Sequence, residues 1–162
     1  MRLLLTLIMF ISFTASANVA VDEINSILQK REALKITQTQ VSPELKDLQD
    51  NYYFVFIFRS TCPHCHNFAP VLKDFVDNFH LQVKPYSIDG KSLPEFKAKT
   101  LTAQLFQTYY VNGGFKATVP ALYLVNKHTS QAYAALFGEA NYFQLANRTH
   151  ELMKHIKENY DA

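Results

Sequence analysis

The 162-residue sequence carries 16 Lys and Arg against 14 Asp and Glu, a formal net charge of +2. Charges of both signs are interspersed along the chain, which gives no reason to expect nucleic acid or an anionic membrane surface as a partner. Two cysteines are too few for a small secreted scaffold stapled by several disulfides.

The first residues read as an address. Arg2 is followed by an apolar run from Leu3 to Phe13 and by the small residues Ala15-Ser16-Ala17, the pattern of a secretory signal peptide cleaved after Ala17. The run falls well short of the roughly 20 residues that a membrane-spanning helix needs, so export without a membrane anchor is expected. Removing residues 1–17 leaves 145 residues with 15 basic and 14 acidic side chains, enough for one domain with a substantial core.

Residues 19 to about 35 place Val21, Ile24, Ile27 and Leu28 at helical spacing, and Ser42-Pro43-Glu44 reads as a second helix start. Residues 18–50 are therefore expected to form an N-terminal helical extension that packs on a sheet edge by default, dimerisation and partner contact being the alternatives, and 51–162 the main domain. Tyr52 to Phe58 is a continuous aromatic and β-branched run, as in a strand buried on both faces. Phe68, Val71, Leu72, Phe75, Val76 and Phe79 share a helical face, with Pro70 expected to kink that helix. A strand is expected at Leu81 to Ile88, completing a right-handed βαβ unit.

Further on, Leu93 to about Tyr110 reads as a helix, Gly113-Gly114 as a turn, and Ala121 to Val125 as a strand pairing with a second from Gln131 to Phe137. A final helix carries Tyr142, Leu145, Ala146, Thr149, Leu152, Met153 and Ile156 on one stripe. The main domain thus has the order β-α-β-α-β-β-α, an α/β fold.

Chemistry concentrates at Cys62-Pro63-His64-Cys65, where a buried strand gives way to a helix. Two intervening residues close too small a loop for a bridge there to contribute much stability, so the pair is better explained by reactivity. Unpaired N–H groups and the positive end of the helix dipole favour a thiolate at Cys62, and His64 is expected to add a donor or a positive charge. Cys62 is then the nucleophile and Cys65, one turn later, the resolving thiol. Pro63 suits the first turn, where its missing N–H has no helical partner.

Two other chemistries share these residues. Cys62 to His66 also spells C-x-x-C-H, the c-type haem attachment pattern with His66 as an axial ligand, and Cys62, Cys65 and His64 or His66 are possible zinc ligands lacking a second Cys pair. Otherwise His66 is a solvated first-turn residue, and His80, His128, His150 and His155 are surface residues. Gly113-Gly114 lacks the context of a phosphate cradle, and Asn147-Arg148-Thr149 falls within a helix, a poor glycosylation acceptor.

The run FVFIFRSTCPHCHNFAPVL resembles the active-site strand and helix of the thioredoxin superfamily, Pro70 matches that family's kinking proline, and Val119-Pro120 matches its cis-proline. The resemblance covers roughly residues 50–160 and implies a thioredoxin fold with Val119 and Pro120 binding extended substrate. The aromatic residues are expected to be mostly core, a peptide groove of some Tyr and Phe near Pro120 being the alternative. It implies no cofactor beyond the Cys62–Cys65 redox pair and no metal.

The size, leader, CPHC and N-terminal extension are similar, more narrowly, to the pilus-assembly thiol-disulfide isomerases of F-type conjugative transfer systems. That likeness implies a Gram-negative periplasm, cysteine-containing exported clients among conjugation proteins, and a periplasmic redox partner. Two positions depart from thioredoxins. Phe56 stands where many carry a buried acid, and Ser60-Thr61 where a Trp is usual. Both argue for an oxidase or isomerase over a general reductase. The choice between those two, and a binding module that makes little use of its redox pair, stay open.

Overall fold

The computed structural model describes residues 42–160, and those from Glu44 onward belong to one compact unit. The leader and the helix expected over residues 19–35 lie outside the described residues. The chain runs α1 (Ser42–Asn51), β1 (Tyr52–Phe58), α2 (Pro63–Asn78), β2 (Val83–Ser87), β3 (Lys99–Thr100), α3 (Ala103–Phe106), a π-helical segment (Gln107–Val111), β4 (Ala121–Asn126), β5 (Ala132–Phe137) and α4 (Tyr142–Tyr160). Among the described residues no helix is long and apolar enough to cross a membrane.

The strands form one sheet in the order β3-β2-β1-β4-β5. β1 pairs parallel with β2 and antiparallel with β4, so β1 is central. Its period-2 side chains divide between two cores. Phe54, Phe56 and Phe58 pack with Cys65, Phe68 and Leu72 of α2 and with Leu145 and Met153 of α4. Val55 and Ile57 pack on the other face with Tyr109, Tyr110 and Tyr123. Burial on both faces explains why the sequence shows no polar alternation there.

α1 runs directly into β1, and its Leu48 is buried in the first core. The Lys127 ammonium donates to the Gln49 and Asp50 carbonyls at 2.6 and 3.1 Å, satisfying carbonyls that the helix end leaves free. From Glu44 onward, α1 belongs to the same compact unit as the strands that follow it. At α4 the Asn141 side-chain oxygen accepts from Gln144 N–H and the Gln144 side chain accepts from Asn141 N–H, at 3.0 and 2.9 Å, a reciprocal cap.

The helix expected from Leu93 to Tyr110 is shorter than its spacing suggests. Leu93 and Phe96 turn inward, with the Phe96 ring 5.3 Å from Phe56 and hydrogen bonds between their backbones closing a tight turn. Lys99–Thr100 then extend the sheet as β3, paired parallel with Tyr86 and Ser87. Helical backbone resumes only after Thr102, whose hydroxyl accepts from Leu105 N–H. Pro94 and the inward apolar pair decide the matter, because a residue preceding proline is pushed away from helical backbone.

Phe68 of α2 is fully buried and meets Phe56 edge to face at 5.9 Å. Phe68→Ala is expected to lower stability by about 3–5 kcal/mol. Urea unfolding checks this, and a loss under about 1 kcal/mol would contradict the packing described.

Candidate active site

β1 ends at Phe58 inside the sheet, and the chain must turn into α2 within the next four residues. Cys62 forms the N-cap of α2, with extended φ −86° and ψ 117°, and Pro63 opens the first turn. The Cys62 carbonyl accepts from the N–H groups of Cys65 and His66 at 3.1 and 3.2 Å. Cys62 is half-buried and Cys65 completely buried, both as free thiols. Burial pushes the Cys65 thiol up to about 12, helped by its hydrogen bond to the Cys62 sulfur.

Opposite the pair lies the segment entering β4. The Cys62 Sγ is 3.9 Å from the Val119 carbonyl oxygen, and the Val119–Pro120 peptide is cis. The Tyr110 hydroxyl donates to Thr118 O at 2.9 Å, and Gly138 N–H donates to Pro120 O at 2.8 Å. Gly138 sits at φ +90°, a conformation that favours glycine. Cys62, Pro63, Cys65, Val119 and Pro120 therefore meet at one end of the sheet. Phe115 and Phe137, partly exposed with ring centroids 5.1 Å apart, lie close in sequence and register to Pro120, where aromatic side chains were expected.

His64, expected to serve the Cys62 sulfur, has a partner outside the motif. Its Nδ1 lies 3.3 Å from the Glu139 carboxylate, which also accepts from the Asn67 amide at 3.0 Å. Those two contacts, Asn67 first, hold Glu139 below the usual carboxylate range. His66 is exposed in the first turn, as expected, and its Nε2 lies 2.7 Å from the Ser60 carbonyl oxygen. His80, His128, His150 and His155 are exposed. Among the described residues no group of three or more His, Cys, Asp and Glu is placed to hold a metal ion.

The turn before Cys62 is fastened by residues that the sequence reading did not single out. The Asp89 carboxylate accepts from the Ser60 N–H, the Ser60 hydroxyl and the Ser87 hydroxyl. The Ser60 hydroxyl first, then that of Ser87, holds the Asp89 carboxyl well below the ordinary carboxylate range. A carboxylate depressed on folding stabilises the fold above its unfolded pKa, and that contribution is lost as pH falls through the folded value. The turn is thus anchored at neutral pH, and the anchor weakens as pH falls through the lowered value of Asp89. The signal available in the sequence was the βαβ unit itself, since parallel β1 and β2 bring Ser60 and Asp89, each two residues past its strand, to the same sheet end.

The fold has known counterparts. A thiol:disulfide interchange protein of the thioredoxin family from Chlorobium tepidum TLS superposes with a TM-score of 0.50 at 14% identity, over 67% of this chain and 83% of that one. The fold is therefore the thioredoxin fold, with α1, β3 and the π-helical segment added to the expected β-α-β-α-β-β-α order. The Escherichia coli (strain K12) protein TrbB is 32% identical over 85 residues, which cover 52% of this chain and 46% of TrbB. The match spans about half the length of that relative. The family model described as "TraF: F plasmid transfer operon protein" matches residues 23–150, most of the sequence. The chain belongs to the TraF family of F plasmid transfer operon proteins.

Proposed function

We infer that this protein is a periplasmic thiol-disulfide oxidoreductase, and that it acts as a disulfide isomerase on exported, cysteine-containing proteins of conjugation and pilus assembly. The observation that carries the reading is the unequal placement of two thiols one turn apart, Cys62 at the helix start within reach of a client and Cys65 buried beneath it. Membership of a transfer-operon family and the similarity to TrbB support the choice of clients. The pattern of residues 1–17 supports export.

In the proposed cycle the Cys62 thiolate attacks one sulfur of a client disulfide. A Cys62–client bond forms, the client S–S bond breaks, and the second client sulfur leaves as a thiolate. That thiolate can attack another disulfide of the same client, and the resulting client thiolate displaces Cys62, so disulfides are exchanged with no net electron transfer. Alternatively Cys65 loses its proton and attacks Cys62, releasing the client sulfur, which takes up a proton. Two electrons then pass to the client, and the Cys62–Cys65 disulfide must be reduced again by a periplasmic dithiol partner. Client backbone would lie along Val119–Pro120, whose carbonyl faces the Cys62 sulfur at 3.9 Å.

Oxidase action uses the same centre in reverse, the Cys62–Cys65 disulfide accepting two electrons from a client dithiol. Phe56 in place of a buried acid fits either enzyme. Reduced protein is expected to restore activity to a scrambled multi-disulfide substrate; oxidation of reduced substrate without rescue of scrambled substrate would make oxidase the correct assignment.

The placement of the thiols also predicts labelling and trapping. Cys65 is completely buried and Cys62 is not, so iodoacetamide should label Cys65→Ser protein quickly and Cys62→Ser protein slowly, by a factor of about 10 or more. In the exporting cell, Cys65→Ser should accumulate covalent complexes with multi-cysteine exported proteins, released by added thiol, while Cys62→Ser should not. Equal trapping by both variants, or none by either, would remove the redox roles and leave a binding module.

A further inference from the structure

Glu139 stands outside the CPHC motif, on the turn between β5 and α4, yet it reaches the start of α2. Gly138 places it there, because the Gly138 N–H is bonded to Pro120 O and the chain passes at φ +90° beside the Val119–Pro120 segment. The carboxylate is then oriented from α2 by the Asn67 amide at 3.0 Å and faces His64 Nδ1 at 3.3 Å. One carboxylate thus joins the two loops that border Cys62.

We propose that Glu139 is a positioning residue that holds the His64 ring away from the Cys62 sulfur and so sets the redox pair toward its disulfide form. With His64 paired to Glu139, the imidazole donor and any positive charge it carries are shared with a carboxylate and less available to a neighbouring thiolate. A negative group at the rim of the site also disfavours the thiolate and leaves the neutral disulfide unaffected. Both influences favour the oxidised pair. Asn67 matters because a carboxylate already fixed by one hydrogen bond loses less freedom in meeting a second partner. The His64 and Glu139 side chains are 66% and 44% exposed, so screening keeps the effect modest.

The inference rests on the proposed redox role of the Cys62–Cys65 pair, and one experiment separates the two. The purified protein is equilibrated with graded mixtures of reduced and oxidised glutathione, and the dithiol fraction is read by thiol alkylation and mass. Glu139→Gln keeps the amide-accepting oxygen and removes the charge. It is expected to move the equilibrium toward the dithiol about threefold, or roughly 15 mV at 30 mV per tenfold. In a His64→Gln background the same change is expected to have a clearly smaller effect, the remainder that the carboxylate's charge exerts without the imidazole. An unchanged equilibrium in Glu139→Gln, a shift toward the disulfide, or an equal shift in both backgrounds overturns the positioning role. If the unaltered protein forms no reversible Cys62–Cys65 disulfide with glutathione, the redox reading itself fails and this inference with it.

Discussion

The burial of β1 on both faces governs everything downstream of it. A strand that feeds Phe54, Phe56 and Phe58 to one core and Val55 and Ile57 to the other has no freedom to slide, since a one-residue slip would exchange the two sets. Its end is therefore fixed, and the parallel neighbour β2 ends level with it. The helix that follows must start at the sheet surface and immediately descend on its apolar side, because Phe68, Ala69 and Leu72 are all fully buried. Two cysteines at the first residue and one turn later thereby receive different environments from the same packing constraint. The inequality of the thiols is a consequence of the core.

Apolar packing and polar fastening are divided at this end of the sheet. Phe56 meets Phe58, Phe68 and Phe96 with ring centroids between 5.0 and 5.9 Å, in the same buried cluster as Cys65. The acids sit at the rim. Asp89 fastens the turn before Cys62 through Ser60, and Glu139 fastens His64 and Asn67 of the following helix. Both are exposed carboxylates, each held by hydrogen bonds from hydroxyl or amide groups, so they shape the loops at little desolvation cost.

The central strand, the α2 and α4 helices and the β4-β5 hairpin were legible because each has a strong period or an uninterrupted apolar run bounded by glycine, proline or a cap. The Cys-Pro-His-Cys motif stood out because residue type and position relative to β1 coincide. The stretch from Leu93 to Tyr110 was misread for a physical reason: Leu93 and Phe96 keep helical spacing, yet they reach the core through a tight turn ahead of a two-residue strand, and spacing alone does not distinguish the two. Ser60, Asp89 and Glu139 were missed because their roles depend on partners 29 and 75 residues away, which only the strand order brings together. The pairing of His64 with Glu139 belongs to that class, and without it the sequence suggests that the imidazole serves the sulfur.

The protonation of Cys65 bears on which reaction this centre favours. Its thiol is raised to about 12, first by burial and then by the hydrogen bond to Cys62, with the charge on Cys62 adding to the rise. Once Cys62 enters a mixed disulfide, the acceptor and the charge are gone, and desolvation remains as the principal barrier to forming the Cys65 thiolate. Under the proposed cycle the departing client sulfur takes up a proton as Cys65 gives one up, and the burial of Cys65 slows that resolution. A mixed disulfide that resolves slowly gives the freed client thiolate time to attack another of its own disulfides. Under the proposed function, the burial of Cys65 therefore acts against net reduction and in favour of rearrangement.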